Sequence, residues 1–255
     1  MLTALTRPVS SSITRCELTH LQRVPIDLQI ARQQHAAYET ALHSLGVNVI
    51  SLPEEADLPD AVFIEDTAIV LDECAILTLP GAASRQPEVE SVAPALASFR
   101  KLERVQPPGT LDGGDVLVAG KTDWIGIGNR SNMEGVRQVR RFLNPYGYMV
   151  LTVPVRGCLH LKSAVTQAGG RTLLINPDWV AKSAFPGFGF IDVDPQEPYA
   201  ANILMVDDQV IYQPAFPRTL ERLEASGIQP LLVDASELGK AEGALTCCSL
   251  LFNSA

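Results

Sequence analysis

The sequence predicts an α/β fold built from five similar units that close into a ring. Three observations carry this reading. A pattern of strand, turn, strand, helix and strand returns along the chain at a period of about 40 residues, a mark of radial or stacked architectures. A polar cluster stands directly before the first strand of each copy. Finally, a lone strand in the last residues, CCSLLF, lacks the partners that the first residues supply. An open α/β sheet of irregular order is the alternative that the pattern leaves.

The elements follow in order. LTALT reads as a strand, and DLQIARQQHAAYETALHSLG as a helix with Asp27 as N-cap and Gly46 as its stop. VNVISLP is the strand after it. In the first full copy, VFIEDTAIVL turns at Asp72–Glu73 into CAILTLP, then come a helix, EVESVAPALASF, and the strand KLERV. TLDGGDVLVAG, WIGIG, the helix SNMEGVRQVRRFL and YMVLTVPV form the next copy. LHLKSAVTQA, RTLLI, the short segment PDWVAKS and FGFIDV form another. ANILMV, QVIYQP, the helix RTLERLEASG and PLLVD complete the series. Strands are read from apolar runs of four to eight residues between turn signals, helices from i, i+3, i+4 spacing such as Leu220, Leu223 and Glu224 before Gly227. CCSLLF then pairs with LTALT and closes the ring, which also protects strand edges. No linker or low-complexity stretch divides residues 1–255, so one domain is expected.

Composition narrows the function classes. The chain carries 29 acidic and 20 basic residues, a net charge of −9, which disfavours a nucleic-acid binder and suits a cationic small molecule. Five irregularly spaced cysteines offer neither an even disulfide framework nor a zinc-type CxxC pair, so a reducing cytoplasm and no metal are expected. The opening residues MLTALTRPVSSSIT hold no apolar run of signal-peptide length. The longest apolar stretch, DAVFIEDTAIVL, is broken by acids and too short for a bilayer.

In a ring, the first strand of every unit starts at one central end. Glu65 and Asp66, Asp112 and Asp115, His160 and Lys162, Asn202, and Cys247 and Cys248 would meet there. A cysteine, a histidine and a carboxylate from three units are the parts of a thiolate nucleophile, its proton-transfer partner and an orienting acid. Each residue also has a plainer reading. Cys247 suits a small core position, His160 a hydrogen-bonded core histidine, and Asp112 in LDGGD a turn before glycines. Glu65 and Asp66 suit an exposed strand end or a structural ion pair. Their equivalent positions in successive units favour the joint reading.

The chain resembles the dimethylarginine dimethylaminohydrolase family, of the guanidino-group-modifying superfamily, over nearly its whole length. PDAVFIEDTAIV, LPGAASR, LDGGDVLVAG, GNRSNMEG, LHLKS, PYAAN and GALTCCS carry the resemblance. It implies the five-bladed α/β propeller, or pentein, of ββαβ units around a central substrate site. It also implies a hydrolase that releases citrulline and an amine from Nω-methylated arginine through a covalent cysteine intermediate. Cys247, after Thr246, would be the nucleophile, His160 the general acid and base, and Asp112 the acid that orients His160. Asp60 would meet the substrate α-amino group, and Glu65 and Asp66 the guanidinium side. Arg85 and Arg130 would grip the α-carboxylate, and the backbone carbonyls near Leu18 and Ala241 would complete the amine site. No cofactor is implied, the partner is the small-molecule substrate, and monomers and homodimers both fit such families. The related arginine deiminases carry an aspartate two residues after the histidine, where this chain has Lys162. The resemblance leaves room for other Nω-substituted arginines such as hydroxyarginine, and for a non-catalytic ribosome-binding protein of the same fold.

Two further expectations concern local geometry. Successive side chains on a strand point to opposite faces. If Cys247 faces the site, Cys248 therefore faces the core, with a vicinal disulfide as the rival. The segment around Leu18 is a candidate flap, and FPGFGF reads as a tight, packed loop, with a lid as the alternative.

Overall fold

A computed structural model describes residues 1–254. It contains five three-stranded sheets, each with one strand order and one sense of pairing. The first strand of a unit runs antiparallel to the second, and the second runs parallel to the third. The parallel pair requires a crossover. Helices supply it in four units, at Leu28–Ser44, Glu88–Ala97, Met133–Leu143 and Pro217–Ala225. The remaining unit crosses over through residues 176–188, with a single helical turn at Lys182–Ala184. No helix among the described residues is long and apolar enough to cross a membrane.

The predicted closure is present. Leu250–Asn253 pairs antiparallel with Leu2–Thr6, Leu2 opposite Asn253 and Leu5 opposite Leu250. Leu2–Thr6 pairs in turn with Asn48–Ser51. The Met1 ammonium and the Ser254 carbonyl complete the ladder at 3.0 Å. The five first strands surround a central cavity, to which they contribute Ile69, Leu117, Gln167, Met205 and Leu251. The open-sheet alternative is therefore excluded.

Local chemistry explains the helix ends. The Asp27 carboxylate accepts the backbone N–H groups of Gln29 and Ile30, satisfying donors that the first turn leaves unpaired. Gly46, one residue beyond the C-cap, takes φ of +81°, where a side chain would be strained. The outer faces of the sheets meet these helices in separate apolar clusters, such as that of Val136, Val139 and Leu143 against Leu111, Val116 and Ile125. FPGFGF does pack: Phe185 and Phe188 both lie against Trp124, with ring centroids at 5.8 and 5.6 Å.

One strand residue works against the fold. Asp123, in Thr122–Ile127, is fully buried, and neither carboxylate oxygen has a hydrogen-bond partner. Burial raises its pKa to about 7, so the folded chain holds a proton there that the unfolded chain releases near pH 4. Stability must then fall as pH rises from about 4 to about 7, by on the order of a few kcal/mol. We expect Asp123→Asn to raise the melting temperature by several degrees at pH 8 and to change it little at pH 4, read by thermal unfolding at both values.

Candidate active site

Four of the five polar clusters that the sequence places at strand starts sit instead on or beside single helical turns just ahead of those strands. Ile64–Thr67 carries Glu65 and Asp66, and Gly113–Asp115 follows Asp112. Leu161–Ala164 follows His160, and Thr246–Cys248 carries both neighbouring cysteines. The strand argument for Cys247 and Cys248 therefore needs correction. The pair lies on a 3-10 turn, where consecutive side chains are about 120° apart. The separation it was meant to explain survives: Cys247 lines a cleft, while Cys248 is buried in the apolar cluster that includes Tyr38. All five cysteines are free thiols.

The cleft is narrow and gathers residues from distant stretches of the chain, from Glu17 to Cys247. Cys247, His160, Asp60, Asp66, Arg85, Arg130 and Ala241 all line it. Asp112 stands immediately behind, fully buried, and its Oδ2 is 2.9 Å from Nε2 of His160. The other imidazole nitrogen, Nδ1, faces Oδ1 of Asp66 at 3.8 Å, beyond hydrogen-bond distance. Two expected residues lie elsewhere. Leu18 is outside the lining and packs against an apolar cluster. Glu65 lies one layer below, at the central cavity, where Oε1 accepts from Nζ of Lys162 at 2.6 Å and Oε2 from Oγ1 of Thr246 at 2.9 Å.

Backbone economy in LDGGD makes this density of groups possible. A Cβ on Gly114 would come within 2.7 Å of His160 Nδ1 and 2.8 Å of Asp66 Oδ1. Its bare N–H donates to Asp66 instead, at 2.9 Å. Asp112 is fixed by the Gly81 N–H on Oδ1 at 2.7 Å and by Nη1 of Arg130 on Oδ2 at 3.4 Å. Its own N–H donates to Oγ of Ser131, which donates in turn to Asp115. Asp115 also accepts the N–H of Leu161, next to His160. One buried acid thus steadies both members of the His160–Asp112 pair. Burial lifts Asp115 itself to a pKa of about 6.

The two arginines are held differently. Arg85 is clamped by Glu88, which accepts from Nε at 3.1 Å and from Nη2 at 2.8 Å, while Nη1 donates to Asp66 at 2.5 Å. Nη2 also reaches the carbonyls of Asp60 and Phe63, so one Nη1 proton is left for anything that enters the cleft. Arg130 is freer: besides Asp112, it donates only to Oγ1 of Thr19, at 3.2 Å.

The same threonine belongs to the segment at residues 17–21, which borders the cleft. Glu242 accepts the consecutive N–H groups of Thr19, His20 and Leu21, at 3.0, 2.5 and 2.5 Å. The Glu17 N–H donates to Asp60 at 3.0 Å. Glu242 adopts a φ of +60°, uncommon for a side-chain-bearing residue. The flap expected around Leu18 is thus fastened by a carboxylate that the sequence reading did not single out. Glu88 and Ser131 were missed as well. Each sits in ordinary surroundings in the sequence, an acid in a first helical turn and a serine before an N-cap.

Charge sets the protonation states. Burial opposes a charge on His160, but Asp66, the hydrogen bond to Asp112 and nearby Asp115 outweigh it and raise the pKa to about 9. Burial also disfavours the charged form of Asp66, yet His160 and Arg85 hold its carboxyl well below the usual carboxylate range. The Cys247 thiol is pushed far up, first by burial and then by the carboxylates of Glu65 and Asp66. At neutral pH the resting cleft therefore holds a thiol beside an imidazolium. Asp66, Asp112 and His160 are close enough to share a metal ion. Two guanidiniums already balance the carboxylates of that group, and no step below uses one.

The comparisons with known proteins fit this geometry. Residues 18–184 match the family model described as "N,N dimethylarginine dimethylhydrolase, eukaryotic". The N(G),N(G)-dimethylarginine dimethylaminohydrolase of Pseudomonas aeruginosa is 35% identical over 247 residues, covering 96% of each chain. The chain belongs to the dimethylarginine dimethylaminohydrolase family. The enzyme of that name from Streptomyces coelicolor is 38% identical over 249 residues, 97% of this chain and 95% of its own. A solved structure of a Pseudomonas aeruginosa dimethylarginine dimethylaminohydrolase mutant complexed with citrulline superposes with a TM-score of 0.94. It is 34% identical and covers 98% of both chains. The five-unit propeller is thus the fold of this family, as the resemblance implied.

Proposed function

We propose that the protein hydrolyses Nω-methylated arginine to citrulline and dimethylamine or methylamine. The observation that carries this reading is the convergence of Cys247, an imidazolium at His160 and two unequally held arginines in one acidic cleft, within the dimethylarginine dimethylaminohydrolase family. Arg130, with N–H groups to spare, takes the substrate α-carboxylate, joined by the remaining proton of Arg85. Asp60 and the carbonyl near Ala241 receive the α-amino group, with the segment around Leu18 completing that end. Asp66 faces the guanidinium.

Burial and the neighbouring carboxylates keep Cys247 protonated at rest, and the second of these sets the order of events. A bound guanidinium cation offsets the carboxylates around the thiol, so substrate binding lowers the thiol pKa and releases its proton. The thiolate attacks the guanidinium carbon. Nδ1–H of His160 then protonates the departing amine, with Nε2–H held by Asp112. A thiouronium-type intermediate remains on Cys247. The neutral imidazole takes a proton from water, the hydroxide adds, and citrulline leaves as the thiol returns. A cleft that aligns these groups supplies up to roughly 7–11 kcal/mol through proximity in ideal cases.

Lys162 supports a substituted substrate nitrogen. It is paired with Glu65 and presents no carboxylate to a second N–H, which a dimethylated nitrogen lacks. The reading also implies a cytoplasmic enzyme. Its test is steady-state citrulline formation from asymmetric dimethylarginine beside arginine and hydroxyarginine. Preferred turnover of the dimethylated compound is expected. Preference for either of the others would overturn the substrate, and no citrulline from any of them would overturn the reaction.

A further inference from the structure

Asn202, the polar residue of one of the two units that supply no triad member, has three well-formed bonds and no role in the chemistry above. Its Oδ1 accepts the backbone N–H of Thr246 at 3.1 Å. Its Nδ2 donates to Oγ1 of Thr246 at 3.0 Å and to the carbonyl of Lys162 at 3.1 Å. The Thr246 hydroxyl donates in turn to Glu65, and Glu65 accepts from Lys162, so the contacts close on themselves. Asn202, Thr246, Glu65 and Lys162 form a ring beneath the cleft, drawn from four of the five units.

The members of this ring hold neighbours of the reacting groups. Thr246 precedes Cys247, Glu65 precedes Asp66, and Lys162 lies two residues after His160. We propose that Asn202 is a positioning residue that fixes the turn bearing Cys247 against the segment bearing His160, by closing this polar ring from below. The proposal rests on the reading of Cys247 and His160 as nucleophile and proton donor.

The chemistry of an amide suits the task. Only Asn offers one acceptor and two donors at this length, and all three are used here. Asn202 is 4% exposed, so water is a poor substitute for a lost partner. Alanine would free the Thr246 N–H and Oγ1 on one side and the Lys162 carbonyl on the other. Aspartate would keep the acceptor for the Thr246 N–H but lose both donors. Arg130, Arg85 and Asp60 share no hydrogen bond with Asn202 or Thr246, so either change leaves their own partners in place. The loss should therefore appear in kcat and not in KM.

A second readout needs no substrate. Burial first, and then the carboxylates of Glu65 and Asp66, suppress the Cys247 thiolate, and the ring holds the cysteine turn buried and close to them. Loosening the turn should make Cys247 more reactive toward iodoacetamide. The test compares the parent with Asn202→Ala and Asn202→Asp, all in a Cys248→Ser background so that alkylation is read at Cys247 by mass spectrometry. We expect kcat to fall roughly 30-fold or more with KM within about threefold, and alkylation at pH 8 to quicken about threefold or more, with a cooperative melt retained. A kcat within about threefold of the parent, or a loss confined to KM, would overturn the proposal. So would a reduced kcat with an unchanged alkylation rate. If Asn202→Ala does not fold, Asn202→Asp is judged by the same criteria. If the parent itself forms no citrulline, the proposed function fails, and the alkylation comparison still decides whether Asn202 holds the turn.

Discussion

Cys247→Ser should reduce citrulline formation by ~10⁴-fold or more, whereas Cys248→Ser should leave turnover within about threefold of the parent. A guanidinium is a poor electrophile because its charge is spread over three nitrogens, and a serine hydroxyl is almost never ionised at neutral pH. The thiol of Cys247 starts well above its ordinary pKa, and in the proposed mechanism a bound cation brings it within reach. No such rescue exists for an alcohol. Cys248 differs in kind: it is 1% exposed, and its Sγ lies 3.4 Å from the Ala244 carbonyl. A serine hydroxyl can donate to that carbonyl, so the exchange should cost about 1 kcal/mol of stability. The check is steady-state kinetics of both variants, with intact-protein mass spectrometry for a substrate adduct on quenched parent enzyme. Equal losses in the two variants would contradict the assignment of the nucleophile.

Asp112→Asn is the second large effect. The change keeps shape and burial but removes the charge that receives His160 Nε2–H at 2.9 Å. It also places an amide among the donors of Gly81 and Arg130. We expect kcat to fall by about 10²–10⁴-fold, the range for losing an oriented acid–base partner. The pH profile adds a signature that simple damage would not produce. In the parent, rate should rise with pH as the thiol ionises and fall through about pH 9 as His160 loses its proton. Without Asp112, less negative charge supports the imidazolium, so its pKa drops and the falling limb moves to lower pH. A falling limb that stays at the parental pH would remove Asp112 from this role.

Much of this was legible from residue order alone. Five units could be counted because each strand is a short apolar run between turn signals, and CCSLLF had no partner but LTALT. A ring brings equivalent positions together, so a cysteine, a histidine and a carboxylate could be expected to meet; their choice as Cys247, His160 and Asp112 came from the family resemblance. The single helical turns that carry them were not legible, since three or four residues are too few to show a period. The connecting acids were hidden for a different reason. Glu88 looks like an acid placed to favour a helix N-terminus, and Glu242 like a surface loop residue. Only the fold shows the first gripping Arg85 and the second gathering three amides of the segment at residues 17–21. Glu65 shows the limit of reasoning by adjacency. It neighbours Asp66 in the sequence, yet the turn sends it to the far side of the floor.

The pairing of Leu2–Thr6 with Leu250–Asn253 has a consequence for how the enzyme comes into being. The turn that carries Cys247 is followed by a strand whose partner lies about 250 residues earlier in the sequence. During synthesis, the intervening units can assemble while this contact is still impossible, and the reacting thiol is seated only after residue 253 has left the ribosome. Closing so long a loop adds an entropic cost that grows slowly with length and delays the final step. Catalytic competence should therefore appear late and all at once. A nascent chain stalled before that strand emerges would lack the pairing that seats the turn of Cys247.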